Sequence, residues 1–288
     1  MQNLIPAFQK DEALLKDIAA VKNTCLPDRQ AEMGCHIWWL GQSGFLLAWQ
    51  GRTLLFDPYL SDSLTKKYLK TNKPHTRLSE LVINPEILRG IDIVTSSHNH
   101  TDHLDGETLI PLLKNNPNID FVIPEANRAF VVDRVKCALD FPLGMSDGDV
   151  LDLHNFKIIC VPAAHNTIDR DEKGHLKYVG FVVQFGAYSV YHSGDTLWYD
   201  GIVDILKPFK LDIAFLPING NDPARGVSGN LDPEEAAELG KQIGARCVIP
   251  HHYDMFAFNT ANVQDFENAA ILRGQAYKVL RIGERLSL

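Results

Sequence analysis

Apolar residues fall mostly into short runs broken by Gly, Pro, Asn and Asp, with only a few stretches of helical period. Residues 37–40, 45–49 and 53–57 read as strands, and the last two meet around Gln50-Gly51, a hairpin-type pair. The β-branched run 91–95 predicts a buried strand, and further strands are predicted at 157–161, 188–191, 212–216 and from about Arg246 onward. Trp38 and Trp39 alternate along the first strand, so one is expected in the core and the other toward the surface or a cleft. Phe8, Leu14, Leu15, Ile18 and Val21 recur at helical spacing and predict a helix over 8–23, packed on the body or on a partner subunit. Helices are also expected near 105–113, over 233–243 and over 263–273, the last ending at Gly274. The second of these has Asp232 to cap it, Pro233 at its first position and Glu234 and Glu235 in its first turn. Paired strands with interspersed helices indicate a layered α/β or α+β fold. No linker, low-complexity tract or composition shift divides the chain, so 1–288 reads as one domain with 1–34 as a helical arm.

Chemistry concentrates in one place. His98, Asn99, His100, Thr101, Asp102 and His103 follow the strand at 91–95 and put three imidazoles and a carboxylate into six residues, in a chain with eleven His. Neutral imidazole and carboxylate are ligands for zinc, iron and manganese. Alternation puts His98 and His100 on one side, available to one ion, while Asp102 and His103 turn toward a neighbouring one. His165, Asp195 and His252 each stand just past a predicted strand, where loops gather into sites. Taken singly, each has an ordinary structural reading: a satisfied His, or a turn Asp after Ser-Gly. Alternation also lets only one of His251 and His252 face such a site.

The string H-x-H-x-D-H resembles that of the metallo-β-lactamase superfamily, and His165, Asp195 and His252 follow in the matching order. Trp38-Trp39-Leu40-Gly41-Gln42-Ser43-Gly44, Ser193-Gly194-Asp195, the segment 219–226 and Val248-Ile249-Pro250-His251-His252-Tyr253-Asp254 are similar to the L-ascorbate-6-phosphate lactonase-like branch. That branch also resembles phospholipid-cleaving hydrolases. The resemblance spans about 34–288 and implies a four-layer αββα sandwich with two divalent metal ions at one edge. It implies His98, His100 and His165 on one ion, Asp102, His103 and His252 on the other, and Asp195 bridging both. Motif alignment with Tyr253 selects His252 over His251. Some ascorbate-phosphate lactonases carry an acidic residue at the position of His165, so this chain resembles the fuller two-metal pattern. The His-rich set suits zinc, with manganese and iron also compatible. Two close cations bring the pKa of water near ~7 and make hydroxide available, with Asp102 placed to hold the nucleophile and carry its proton.

Residues beyond the ligands follow. Asp57, in Asp-Pro at a strand end, reads either as the carboxylate that orients a metal-bound His or as a simple turn. Thr196 and Asn166 adjoin ligands. His192 and His175 read as non-ligands. Arg225, in a Gly- and Asn-rich loop, suits a phosphate or carboxylate, or else pairs with Asp222. Asn219, Asn221 and Asn230 offer hydrogen bonds to a hydroxylated substrate. The series Lys66, Lys67, Lys70, Lys73, His75 and Arg77 reads first as a solvated face and second as an attractor of anions.

Composition removes competitors. A formal charge of −8 argues against nucleic acid and anionic membrane as partners. No run approaches a membrane span. Five scattered Cys and an N-terminus without a signal pattern point to reduced thiols and the cytoplasm. The apolar face of the N-terminal helix would serve a homo-oligomer. No Gly-x-Ser-x-Gly elbow or P-loop is present. The expected activity is that of a lactonase or C–O ester hydrolase on a small acidic or phosphorylated sugar-derived substrate. The alternative is a phosphodiesterase on phospholipid-like or cyclic nucleotide substrates. A scaffold or sensor without turnover would be expected to lack a ligand, and none is missing.

Overall fold

In the computed structural model, which describes residues 4–24, 34–222 and 229–288, two sheets meet face to face between layers of helices. Helix α1 (Asp11–Thr24) precedes an antiparallel run of β1 (His36–Gly41), β2 (Gly44–Trp49) and β3 (Arg52–Phe56). The β2–β3 turn is Gln50-Gly51, both left-handed at φ 48° and 75°, as the hairpin pair requires. Helix α2 (Ser63–Tyr68) follows, then β4 (Ile93–Thr95), α3 (Gly106–Asn115), β5 (Asp120–Pro124), α4 (Arg128–Val135) and β6 (Leu143–Met145). With β13 (Arg285–Ser287) at its edge, the first sheet has the order β13-β1-β2-β3-β4-β5-β6 and is parallel from β3 to β6. The second sheet runs β12-β11-β10-β9-β8-β7. It comprises β7 (Val150–Leu153), β8 (Phe156–Pro162), β9 (Val179–Phe185), β10 (Tyr188–His192), β11 (Ile213–Pro217) and β12 (Cys247–His251). Helices α5 (Ile202–Leu206), α6 (Pro233–Ile243) and α7 (Val263–Arg273) complete the chain.

The inner faces interlock through aromatic rings. Phe45 on β2 meets Phe215 on β11 with centroids 4.2 Å apart, and Trp49 meets Phe156 and Phe185. These rings belong to a core cluster that draws on both sheets. The strand interiors are apolar on both faces because helices cover the outside. Every residue of β2 is buried. That cover corrects the expectation for the tryptophans: both are buried. Trp38 Nε1 donates to Asp17 of α1 at 2.8 Å, so α1 packs on the body, and Trp39 stacks on Tyr253 at 4.4 Å. Helix α6 begins at the predicted cap, Asp232, which forms a complete capping box with Glu235. Among the described residues no helix is long and apolar enough to cross a membrane.

Candidate metal centre

Four segments converge at one edge of the sandwich. The loop after β4 brings His98, His100, Asp102 and His103; the loops after β8 and β10 bring His165 and Asp195; the end of β12 brings His252. Their ligand atoms form three overlapping groups, each within 4.8 Å: His98, His103 and Asp195; His100, His165 and Asp195; Asp102, His103 and His252. Asp195 sits between the two sides. Its Oδ1 lies 2.8 Å from His252 Nε2 and 3.1 Å from His103 Nε2, and its Oδ2 lies 3.8 Å from His98 Nε2. His251 does not join them. It stacks on His192 at 5.6 Å in the core, while a left-handed backbone at His252, φ 64°, swings the next ring to the centre. Gln42 and Asp57 are also left-handed, at φ 48° and 36°, so three non-glycine residues at this edge hold an uncommon conformation.

Partners on the outer nitrogens of His103, His98 and His165 set their tautomers. Asp57 is fully buried, and its carboxylate accepts from Thr95 Oγ1 at 2.8 Å, from the Ser97 amide, and from Ser97 Oγ. It also lies 2.8 Å from His103 Nδ1, so that nitrogen donates and Nε2 is left to face inward. Ser97 has spent its proton on Asp57, so its oxygen accepts from His98 Nδ1 at 3.0 Å, which frees His98 Nε2 in the same way. His165 Nδ1 donates to the Gly229 carbonyl at 3.3 Å. A Cβ on Gly229 would stand 1.9 Å from that nitrogen, at φ 92°, so only glycine fits. Gln42 Nε2 lies 2.9 Å from both Asp102 Oδ2 and His252 Nδ1 and ties two candidate ligands together. Thr196 accepts from the Ala164 amide at 3.0 Å and so joins the two loops that carry His165 and Asp195, whereas Asn166 is exposed.

The residues fit a divalent metal. His98 Nε2, His252 Nε2 and Asp195 Oδ1 are buried without a hydrogen-bond partner among the described residues; the last two are close but lack hydrogen-bond geometry. Orphaned buried donors and acceptors are costly, and a cation shared by imidazole and carboxylate satisfies them. Protonation follows the same layout. Burial, and then the neighbouring His103, hold His98 well below the usual imidazole range. For His103 burial acts downward, but Asp195, Asp102 and Asp57 outweigh it and push the ring well up. Burial opposes ionisation of Asp195, yet His252 and His103 hold its carboxyl well below the usual range.

A family model described as a β-lactamase superfamily domain matches residues 36–252, a span that contains all seven of these residues. The chain belongs to the metallo-β-lactamase superfamily. It is 30% identical to a metal-dependent hydrolase of Methanosarcina mazei, over 81% of this chain and 89% of that one. It is 26% identical to N-acyl-phosphatidylethanolamine-hydrolyzing phospholipase D 1 of Caenorhabditis elegans, over 87% of this chain and 72% of that one. A probable L-ascorbate-6-phosphate lactonase of Shigella dysenteriae is 24% identical over 80% and 72%, so the lactonase-like branch read from the motifs is among its relatives. The chain is a metal-dependent hydrolase of this superfamily.

A cavity of about 490 Å³ opens over His100, Asp102, His165 and Asp195. Lys67, Lys73 and His75, grouped in the sequence with a solvated face, line it, while Arg77 is buried and donates to Asp62 at 2.6 Å and to the Ser61 carbonyl. Asn230 is in the wall. Asn219 is not, but it donates to Asn259 at 2.6 Å, and Asn259 is. Arg225 lies outside the described residues. The sequence analysis missed Tyr178, whose ring lies 5.2 Å from both His98 and His165, and the wall residues Phe256 and Phe258. Gln42 was visible only as part of the branch motif.

Proposed function

We propose that this hydrolase is a lactonase or C–O ester hydrolase acting on a small acidic or phosphorylated substrate. The observation that carries the reading is the convergence of seven inward-facing donors beneath a cavity of about 490 Å³, a size for a small molecule. In it, His98, His100 and His165 would hold one divalent ion and Asp102, His103 and His252 a second, with Asp195 available to both and zinc favoured by the imidazole-rich set. Such ions acidify water and polarise a carbonyl or phosphoryl oxygen. Asp57 fixes His103, Gln42 fixes His252 and Asp102 together, and Asp102 is the carboxylate at the cavity floor able to accept the proton that the attacking water gives up. Asn219, through Asn259, and Arg225 bind substrate.

The phospholipase-like relative supports a second reading, a phosphodiesterase on the same residues. Elemental analysis of purified protein, with one sample assayed on a lactone panel and on bis(p-nitrophenyl) phosphate, separates the two. About two metals per chain with lactone turnover supports the first reading, and phosphodiester turnover alone promotes the second. One metal or none, with no activity restored by zinc or manganese, sinks both.

A further inference from the structure

The cavity rim has two features that the metal centre does not use. In a chain of net charge −8, the wall gathers Lys67, Lys73 and Arg134, and its only carboxylates among the described residues are Asp102 and Asp195 of the centre itself. Arg134 is already engaged, since its Nη1 donates to the carbonyls of Asn99 and Leu104 at 2.9 and 3.2 Å and braces the ligand loop. Lys66 is taken by Glu107 at 2.6 Å. Lys67 is exposed, and its Nζ reaches Thr101 Oγ1, between His100 and Asp102, at 3.3 Å. No ion-pair partner reaches it among the described residues. Beside it stands a ring wall. Tyr68 stacks on His75 with centroids 4.4 Å apart, and Phe256 and Phe258 meet the same imidazole at 5.3 Å each.

We infer that the centre selects esters or lactones carrying an oxyanion, carboxylate or phosphate, near the reacting carbonyl and an apolar, preferably aromatic, body beyond it, with Lys67 reading the charge; this rests on the ester-hydrolase reading above. An ammonium anchored one residue from two ligands stands where only a charge close to the reacting group can meet it. The Phe256 and Phe258 rings offer area and no hydrogen bonds, and beside the Tyr68–His75 stack they favour an apolar body over a bare sugar.

The test uses zinc-loaded protein and two esters of matched length, 4-nitrophenyl hydrogen glutarate and 4-nitrophenyl valerate, which differ in a terminal carboxylate. The wild type should prefer the glutarate. Lys67→Gln should lower the ratio of the two kcat/KM values about five- to tenfold, and Lys67→Glu should lower it further, with metal content retained in both. An unchanged ratio in both variants overturns the inference. If the wild type cleaves neither ester, the ester reading fails and calorimetry with phenyl phosphate decides the subsite. Binding at least about fivefold weaker in Lys67→Gln, and tighter for phenyl phosphate than for inorganic phosphate, supports it. Equal affinity in wild type and variant overturns it.

Discussion

Asp57 lies outside the cavity wall, yet two of the inward-facing donors depend on it, one directly and one through a single atom. It holds His103 and takes the Ser97 proton, which leaves the serine oxygen to orient His98. Replacing Asp57 by Asn keeps the volume but removes the charge that fixes these tautomers. Metal affinity should fall about 10- to 100-fold, the usual cost of losing a partner behind a ligand. Competition with a chromophoric chelator measures it, and undiminished affinity in Asp57→Asn would show that the carboxylate only shapes the Asp-Pro turn. His103, which Asp195 and Asp102 push up more than Asp57 does, sets a pH dependence. In metal-free protein the raised His103 pKa means that its proton stabilises the fold at low pH. That contribution is lost as pH rises through the folded value, above the ordinary ~6.5. A metal competes with that proton, so affinity has the opposite trend and should keep climbing above pH ~7, where an ordinary imidazole has already lost its proton. A titration of metal affinity against pH that levels off by pH ~6.5 would contradict this.

Elements differ in how far they could be read ahead of the structure. The 98–103 cluster was legible because its ligands are nearly contiguous, and helix α6 because its cap is local. Replacing Asp232 by Ala removes the side chain that accepts from the Glu235 amide at 2.8 Å and should cost about 1 kcal/mol. That corresponds to a fall of roughly 2–4 °C in Tm, which calorimetry resolves; no change would mean that tertiary packing alone holds the helix start. Helix α2 was not legible. It has six residues and one buried side chain, Leu64, too short for a period, so its lysines looked like a solvated face. Strand β13 is shorter still, at three residues, and exists through pairing with β1, more than two hundred residues earlier. The pair Trp38 and Trp39 was misjudged because alternation speaks of the strand and is silent about the α1 cover. The choice of His252 over His251 turns on a positive φ, which single-sequence pattern does not encode.

At the scale of the molecule the centre is a clasp between the sheets. Asp57 and the 98–103 loop extend from strands of the first sheet, and His165, Asp195 and His252 extend from strands of the second. Without a cation, His98, which burial keeps neutral, faces the Asp195 carboxylate held ionised, and several polar atoms of the centre have no hydrogen-bond partner among the described residues. A ligand that binds only the folded chain stabilises it by mass action, by about 4 kcal/mol when present at a thousandfold excess over its Kd. For a chain of this size that is worth on the order of 10 °C. Chelation followed by desalting should therefore lower Tm by about that amount, and zinc added back should restore it in a concentration-dependent way. The loss should be smaller in a variant already lacking Asp195, because that carboxylate touches both sides of the clasp. If elemental analysis proves the metal gone and Tm has not moved, the seven residues are held in place by packing alone, and their convergence owes nothing to a cation.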